Sequence, residues 1–155
     1  MFKPVLIIGG GVAVLVVLGF IAWGRFGTVE SDHPSAQRLA QGQTIYHEQC
    51  ASCHGANLEG QPNWRERQPN GRLPAPPHDA SGHIWHHPDD VLFGITKHGL
   101  APYAPHGYES DMPAFDGKLT DDQIRAVLAY IKSQWPPEIQ ERQKAITEQA
   151  KQADR

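Results

Sequence analysis

Three kinds of hydrophobic pattern succeed one another along this chain of 155 residues, and each predicts a different physical outcome. From Val5 to Trp23 there is no charge, and most positions are Val, Leu, Ile, Gly or Ala. That run of 19 residues nearly reaches the length of about 20 that a helix needs to cross the hydrocarbon of a bilayer. Lys3 and Arg25 bracket it, and Trp23 suits the membrane interface. A cleaved secretory signal is the competing reading, but the run exceeds the usual apolar core of such signals and Ala22-Trp23-Gly24 is a poor small-x-small site. An uncleaved anchor over residues 1–25 is therefore expected. Residues 26–35 are small or polar enough to form a linker that reaches at most about 35 Å when fully extended.

The second pattern has helical spacing. Leu39, Gly42, Ile45 and Tyr46 share one face of an expected first helix. Near the other end, Ile124, Val127, Leu128 and Ile131 recur at i, i+3, i+4 and i+7, a stripe suited to burial. Thr120-Asp121-Asp122-Gln123 has the form of a capping box, so this helix should start near Asp121, and Pro136-Pro137 should end it. Between them lies an irregular stretch rich in proline, glycine and histidine. One helix interrupts it, from about Pro88 to Lys97, with Asp89 and Asp90 in its first turn, Leu92, Phe93 and Ile95 as its apolar content and Gly99 as its stop. Gly71 to Pro77 must be extended, because each proline disfavours helix at and before its own position. The third pattern is the polar run after Pro137, in which Ile139 and Ile146 are the only large apolar residues. It predicts a frayed helix or loose tail, with those two residues available to dock on a neighbouring subunit. The fold class expected is all-α with loop-rich connections: a domain over 36–136, a polar helix or tail over 137–155, and one transmembrane helix in front.

Candidate chemistry changes this picture at Cys50-Ala51-Ser52-Cys53-His54. C-x-x-C-H is the attachment signature of a c-type haem: two thiols on one helical turn each form a thioether to a vinyl group, and the adjacent histidine reaches the iron. Structural zinc needs four N/S ligands, usually from two separated pairs, and the chain has only two cysteines. A thioredoxin-like dithiol belongs in alternating strands and helices, which are not found, and a plain disulfide leaves His54 without a role. Haem iron in an electron carrier takes a second axial ligand, usually methionine or histidine. Apart from the initiator there is one methionine, Met112, and Pro113 pushes it out of helical geometry, so its sulfur is offered from a stiff loop. His78, His83, His86, His87, His98 and His106 are the alternatives, as is an open position.

With these residues in view, the chain resembles the class I cytochromes c over roughly residues 36 to 136. The resemblance rests on the first helix leading into Cys50-Ala51-Ser52-Cys53-His54, the Met112-Pro113 loop, and the closing helix with Leu128, Tyr130, Ile131 and Trp135. It implies a cytochrome c-like fold with one covalently attached haem c, held by Cys50, Cys53, His54 and Met112. It also implies that the first and last helices cross closely, Gly42 making room for Tyr130 or Trp135, and that a proline carbonyl orients the ligating imidazole, with Pro76 and Pro77 both available. Attachment of such a haem takes place outside the cytoplasm, so the domain is expected on the extracytoplasmic, periplasmic side of the membrane.

The chain has 14 basic and 17 acidic residues; setting aside Lys3 and Arg25 leaves a mildly acidic domain, with nothing to suggest nucleic-acid binding. About a hundred residues with modest aliphatic content make a marginal core, and the porphyrin supplies an apolar centre. The function expected is single-electron transfer without bond chemistry on a substrate, so an electron carrier and not an enzyme. A histidine-methionine pair raises the potential relative to two histidines, which suits delivery toward a terminal oxidase from a quinol-oxidising complex or a dehydrogenase. Two other classes remain: a haem-bearing or metal-handling accessory subunit of a larger membrane complex, with copper on the loop histidines, and a haem enzyme or sensor with an exchangeable sixth ligand.

Overall fold

The computed structural model describes residues 34–153 and 155; the expected anchor and most of the linker lie outside the described residues. Among the described residues there are helices and turns and no strand, and no helix is long and apolar enough to cross a membrane. Five α-helices follow one another: α1 (Ala36–Gln49), α2 (Ala51–His54), α3 (Asp89–His98), α4 (Asp121–Ser133) and α5 (Pro137–Ala153). Single 3-10 turns stand at Ile84–His86 and Ala101–Tyr103.

The helix ends follow local chemistry. Ser35 caps α1 by accepting from the Arg38 N–H at 3.2 Å. Both halves of the expected capping box form on α4: Thr120 Oγ1 accepts from Gln123 N–H at 3.2 Å, and Gln123 Oε1 accepts from Thr120 N–H at 2.9 Å. Pro88 precedes α3 with two aspartates in the first turn, and Gly99 closes it at φ 80°.

Helices α1 and α4 form the packed centre. Ile45, Tyr46, Val127, Tyr130, Ile131 and Trp135 make one buried cluster together with Leu58 from the intervening chain. Close approach depends on Gly42: a Cβ built there would collide with the Ala126 carbonyl and come within 2.8 Å of Tyr130 Cβ. Tyr130 rather than Trp135 is thus the aromatic neighbour of the glycine. Trp135 is turned to another task and donates from Nε1 to the His78 carbonyl at 2.7 Å.

The polar run after Pro137 forms a continuous helix, and what docks it is chiefly polar. Gln143 is fully buried, and its Nε2 donates to Asp89 Oδ1 at 2.7 Å, to the His87 carbonyl at 3.2 Å and to Thr147 Oγ1 at 3.1 Å. The Asp89 N–H donates to Thr147 Oγ1 at 3.1 Å, so α5 satisfies one of the donors that the N-terminus of α3 leaves open. Ile139 packs against the buried cluster and the Arg142 guanidinium lies 4.9 Å from the Trp85 ring, fastening α5 over the Ile84–His86 turn.

Candidate functional site

Cys50 ends α1, its N–H donating to the Tyr46 carbonyl at 2.9 Å. The chain then makes one more helical turn, in which the Cys53 and His54 N–H groups both donate to the Cys50 carbonyl, at 3.1 and 2.9 Å. Gly55 stops it at φ 83°. The buried Tyr46 hydroxyl secures this end from the side, donating to the Gly55 carbonyl at 2.9 Å and reaching the His54 carbonyl at 3.3 Å. Both thiols and the imidazole therefore stand on one turn, braced by α1. Cys50 is half-buried, Cys53 is exposed and His54 is buried.

The turn is faced by an extended segment. Gly60 N–H donates to the His54 carbonyl at 2.7 Å, Gln61 N–H to the Ala75 carbonyl at 2.9 Å and His78 N–H to the Leu58 carbonyl at 2.8 Å, so residues 58–61 run beside 75–78. This register presents the Pro76 carbonyl to His54 Nδ1 at 2.8 Å. A carbonyl can only accept, so Nδ1 carries the proton and Nε2 keeps the lone pair a metal requires. Burial pushes the His54 pKa down, outweighing the Pro76 hydrogen bond that raises it, so the ring is neutral and ready to ligate.

The thiols are free of any disulfide. Burial, reinforced by neighbouring Cys53, pushes the Cys50 thiol up to about 11. Two free thiols and a neutral imidazole with a free Nε2, all on one turn, form a donor set that fits a covalently attached porphyrin.

Met112 lies on the loop between Ala104 and Phe115. The Phe115 N–H donates to the Thr96 and Lys97 carbonyls and the Asp116 N–H to that of Lys97, which moors the loop to the end of α3. On its other side Arg72 pairs with Glu109 at 3.3 Å and with Asp111. The half-buried methionine lines an open cavity of about 480 Å³ with His98, Leu100, Tyr108 and Ala114. None of Cys50, Cys53 and His54 lines that cavity.

Of the remaining histidines, His83 and His86 are placed by contacts with tryptophan rings. His83 stacks on Trp64 with ring centroids 5.4 Å apart, and His86 lies 3.8 Å from Trp85. Among the described residues no group of three or more histidine, cysteine or acidic side chains is placed to hold a metal. His78 stands apart from them, buried and stacked on His54 at 3.7 Å. A ring beside and nearly parallel to His54 would lie on that residue's side of a bound iron, which disfavours His78 as the opposite ligand.

The cytochrome c family model matches residues 39–135. Among curated proteins the chain is similar to a cytochrome c-555 of Prosthecochloris aestuarii, 33% identical over 98 residues that cover 60% of this chain and 84% of that protein. It is also similar to a cbb3-type cytochrome c oxidase subunit CcoP of Azospirillum brasilense, 28% identical over 75% of this chain and 40% of that protein. A subunit FixP of the same oxidase type from Bradyrhizobium sp. (strain ORS 278) is 30% identical over 61% of this chain and 27% of its own length. The chain thus spans well under half the length of these oxidase subunits. No solved structure matches it.

Proposed function

The chain belongs to the cytochrome c family, and from that footing we propose that it is a membrane-anchored carrier that passes single electrons toward a terminal oxidase on the extracytoplasmic side. It is a monohaem c-type cytochrome, an electron carrier with haem c covalently attached. The bound iron supplies a one-electron couple between its ferrous and ferric states. Cys50 and Cys53 would hold the group by their sulfurs, and His54 Nε2 and the Met112 thioether would be the protein ligands to its iron. The Pro76 carbonyl holds the His54 proton on Nδ1, and Tyr46 keeps the turn from moving, so little reorganises when the charge changes.

The observation that carries this reading is the buried His54 ring, tied at Nδ1 to Pro76 and rising from the same turn as two unpaired thiols. Protein made in a host with haem-attachment machinery should carry one added haem mass and show a low-spin spectrum with a weak sulfur-to-iron charge-transfer band. Met112→Ala should abolish that band and open the reduced protein to carbon monoxide. A parent protein lacking the band and binding carbon monoxide unaided would instead favour an enzyme or sensor. The anchor is supported by residues 5–23 of the sequence, and resistance of the full chain to extraction by alkaline carbonate tests it. Similarity to cbb3-type oxidase subunits also supports a second reading, in which the chain is an accessory subunit of such a complex. Stable co-purification with oxidase after mild detergent extraction would favour it; recovery of the chain alone would favour a mobile partner.

A further inference from the structure

We propose that His78 is a positioning residue for the His54 imidazole, its buried ring lying flat on that of His54 and fixing the rotation of the ligand ring. This rests on the reading that His54 binds iron through Nε2. The ring planes are 17° apart with centroids 3.7 Å from one another. His54 is attached through Cβ, held at Nδ1 by Pro76 and, when ligated, at Nε2 by the metal, three points that all lie in the plane of the ring. Tilting of that plane is opposed by what lies against its faces. A flat neighbour removes that freedom, and His78 is built to be one. Its N–H donates to the Leu58 carbonyl at 2.8 Å, its carbonyl accepts from Trp135 Nε1 at 2.7 Å, and the Tyr46 ring meets it edge-on at 6.0 Å.

Packing alone does not account for a histidine at this position. Its Nδ1 is buried with no hydrogen-bond partner, a condition that destabilises a fold, and a leucine of comparable size avoids it. What the imidazole adds is a thin, flat, polarisable face. The orientation of an axial imidazole plane sets the electronic asymmetry of ferric low-spin haem, which is read in the pattern of haem-methyl proton shifts and in the largest g-value. His78 therefore acts on the site through His54, without itself ligating.

The test compares mature, oxidised holoprotein of the parent, His78→Phe and His78→Leu. The phenylalanine variant, which keeps a flat ring, should reproduce the parent haem-methyl pattern and g-values. The leucine variant should shift both while its melting temperature stays equal or rises, an outcome that a merely structural role does not produce. Parent values in the leucine variant, or a shifted pattern in the phenylalanine variant, would overturn the inference. If the leucine variant fails to mature, His78→Met takes its place under the same two outcomes. A parent protein without an imidazole-ligated low-spin haem would sink the reading of His54 itself, whereas a normal parent with an unresponsive position 78 sinks only the role of His78.

Discussion

The α1–α4 pair and the long segment from Gly55 to Phe115 are held together by different physics, and the difference separates what makes the fold from what makes the chemistry. In the pair, cohesion comes from apolar burial: Tyr46 and Ile124 are fully buried, and Val127 and Ile131 nearly so. The intervening segment has few large buried side chains. It is held by individual hydrogen bonds to backbone carbonyls, by prolines that fix its direction and by single reaches from the helical pair, such as Tyr46 to Gly55 and Trp135 to His78. Yet the irregular segment carries Pro76, His78 and Met112, which face or flank the site. A loop can present a carbonyl or a sulfur at a chosen angle; the helical pair supplies the fixed frame against which that angle has meaning.

The largest test of this contrast removes the attachment points. A Cys50→Ala/Cys53→Ala double variant should contain no covalent haem and lose cooperative folding, giving helical far-ultraviolet but featureless near-ultraviolet circular dichroism, because the irregular segment has too little core of its own. A native-like, cooperatively melting apoprotein would show instead that the helical pair alone organises the segment. Gly42→Ala strikes the pair and leaves the segment untouched. Its methyl group meets the Ala126 carbonyl and Tyr130 Cβ, so denaturant unfolding of the holoprotein should show a loss of about 2–3 kcal/mol with an unchanged haem spectrum.

A smaller effect is expected where α5 fastens the segment. Burial by itself raises the Asp89 pKa, but the Lys132 ammonium at 2.7 Å and the Gln143 amide more than offset it and hold the carboxyl below its ordinary value of 3.8. A carboxyl depressed in the folded state contributes stability that is complete above its unfolded pKa and lost as pH falls through the folded one. Asp89→Asn should therefore lower stability at pH 7 by no more than about 1 kcal/mol. The deficit should shrink as pH falls below 4, and a deficit independent of pH would assign the effect to packing. The smallest expected change is at Arg72, whose exposed pairs with Glu109 and Asp111 flank the methionine loop. Arg72→Gln should leave the melting temperature in place while letting added imidazole displace the sulfur-to-iron band at lower concentration, and high salt should bring the parent toward the variant. An equal imidazole midpoint for both proteins would release the loop from this tie.

Legibility in the sequence follows the same division. The α4 capping box, the stop at Gly99 and the Cys50–His54 motif are set by neighbours within a few residues, and each stands where its local chemistry demands. The α5 dock was not legible, because Gln143 and Thr147 do not form an apolar stripe and acquire meaning only when Asp89 is brought opposite them. Leu128 and Phe93 lie on expected apolar faces yet remain half-buried, since periodicity reports which face is apolar and not what covers it.

By itself the sequence determined the covalent chemistry and the helical frame, because thiol spacing, caps and apolar periodicity act over one or two turns of chain. Only the tertiary structure decided that Pro76 and not Pro77 accepts from His54, that Gly42 meets Tyr130 rather than Trp135, and that His78 shares the side of the ring it was weighed against. Each of those choices turns on a carbonyl or ring plane carried in from 22 to 88 residues away, where a one-residue change of register is silent in composition but reverses the direction in which a group points.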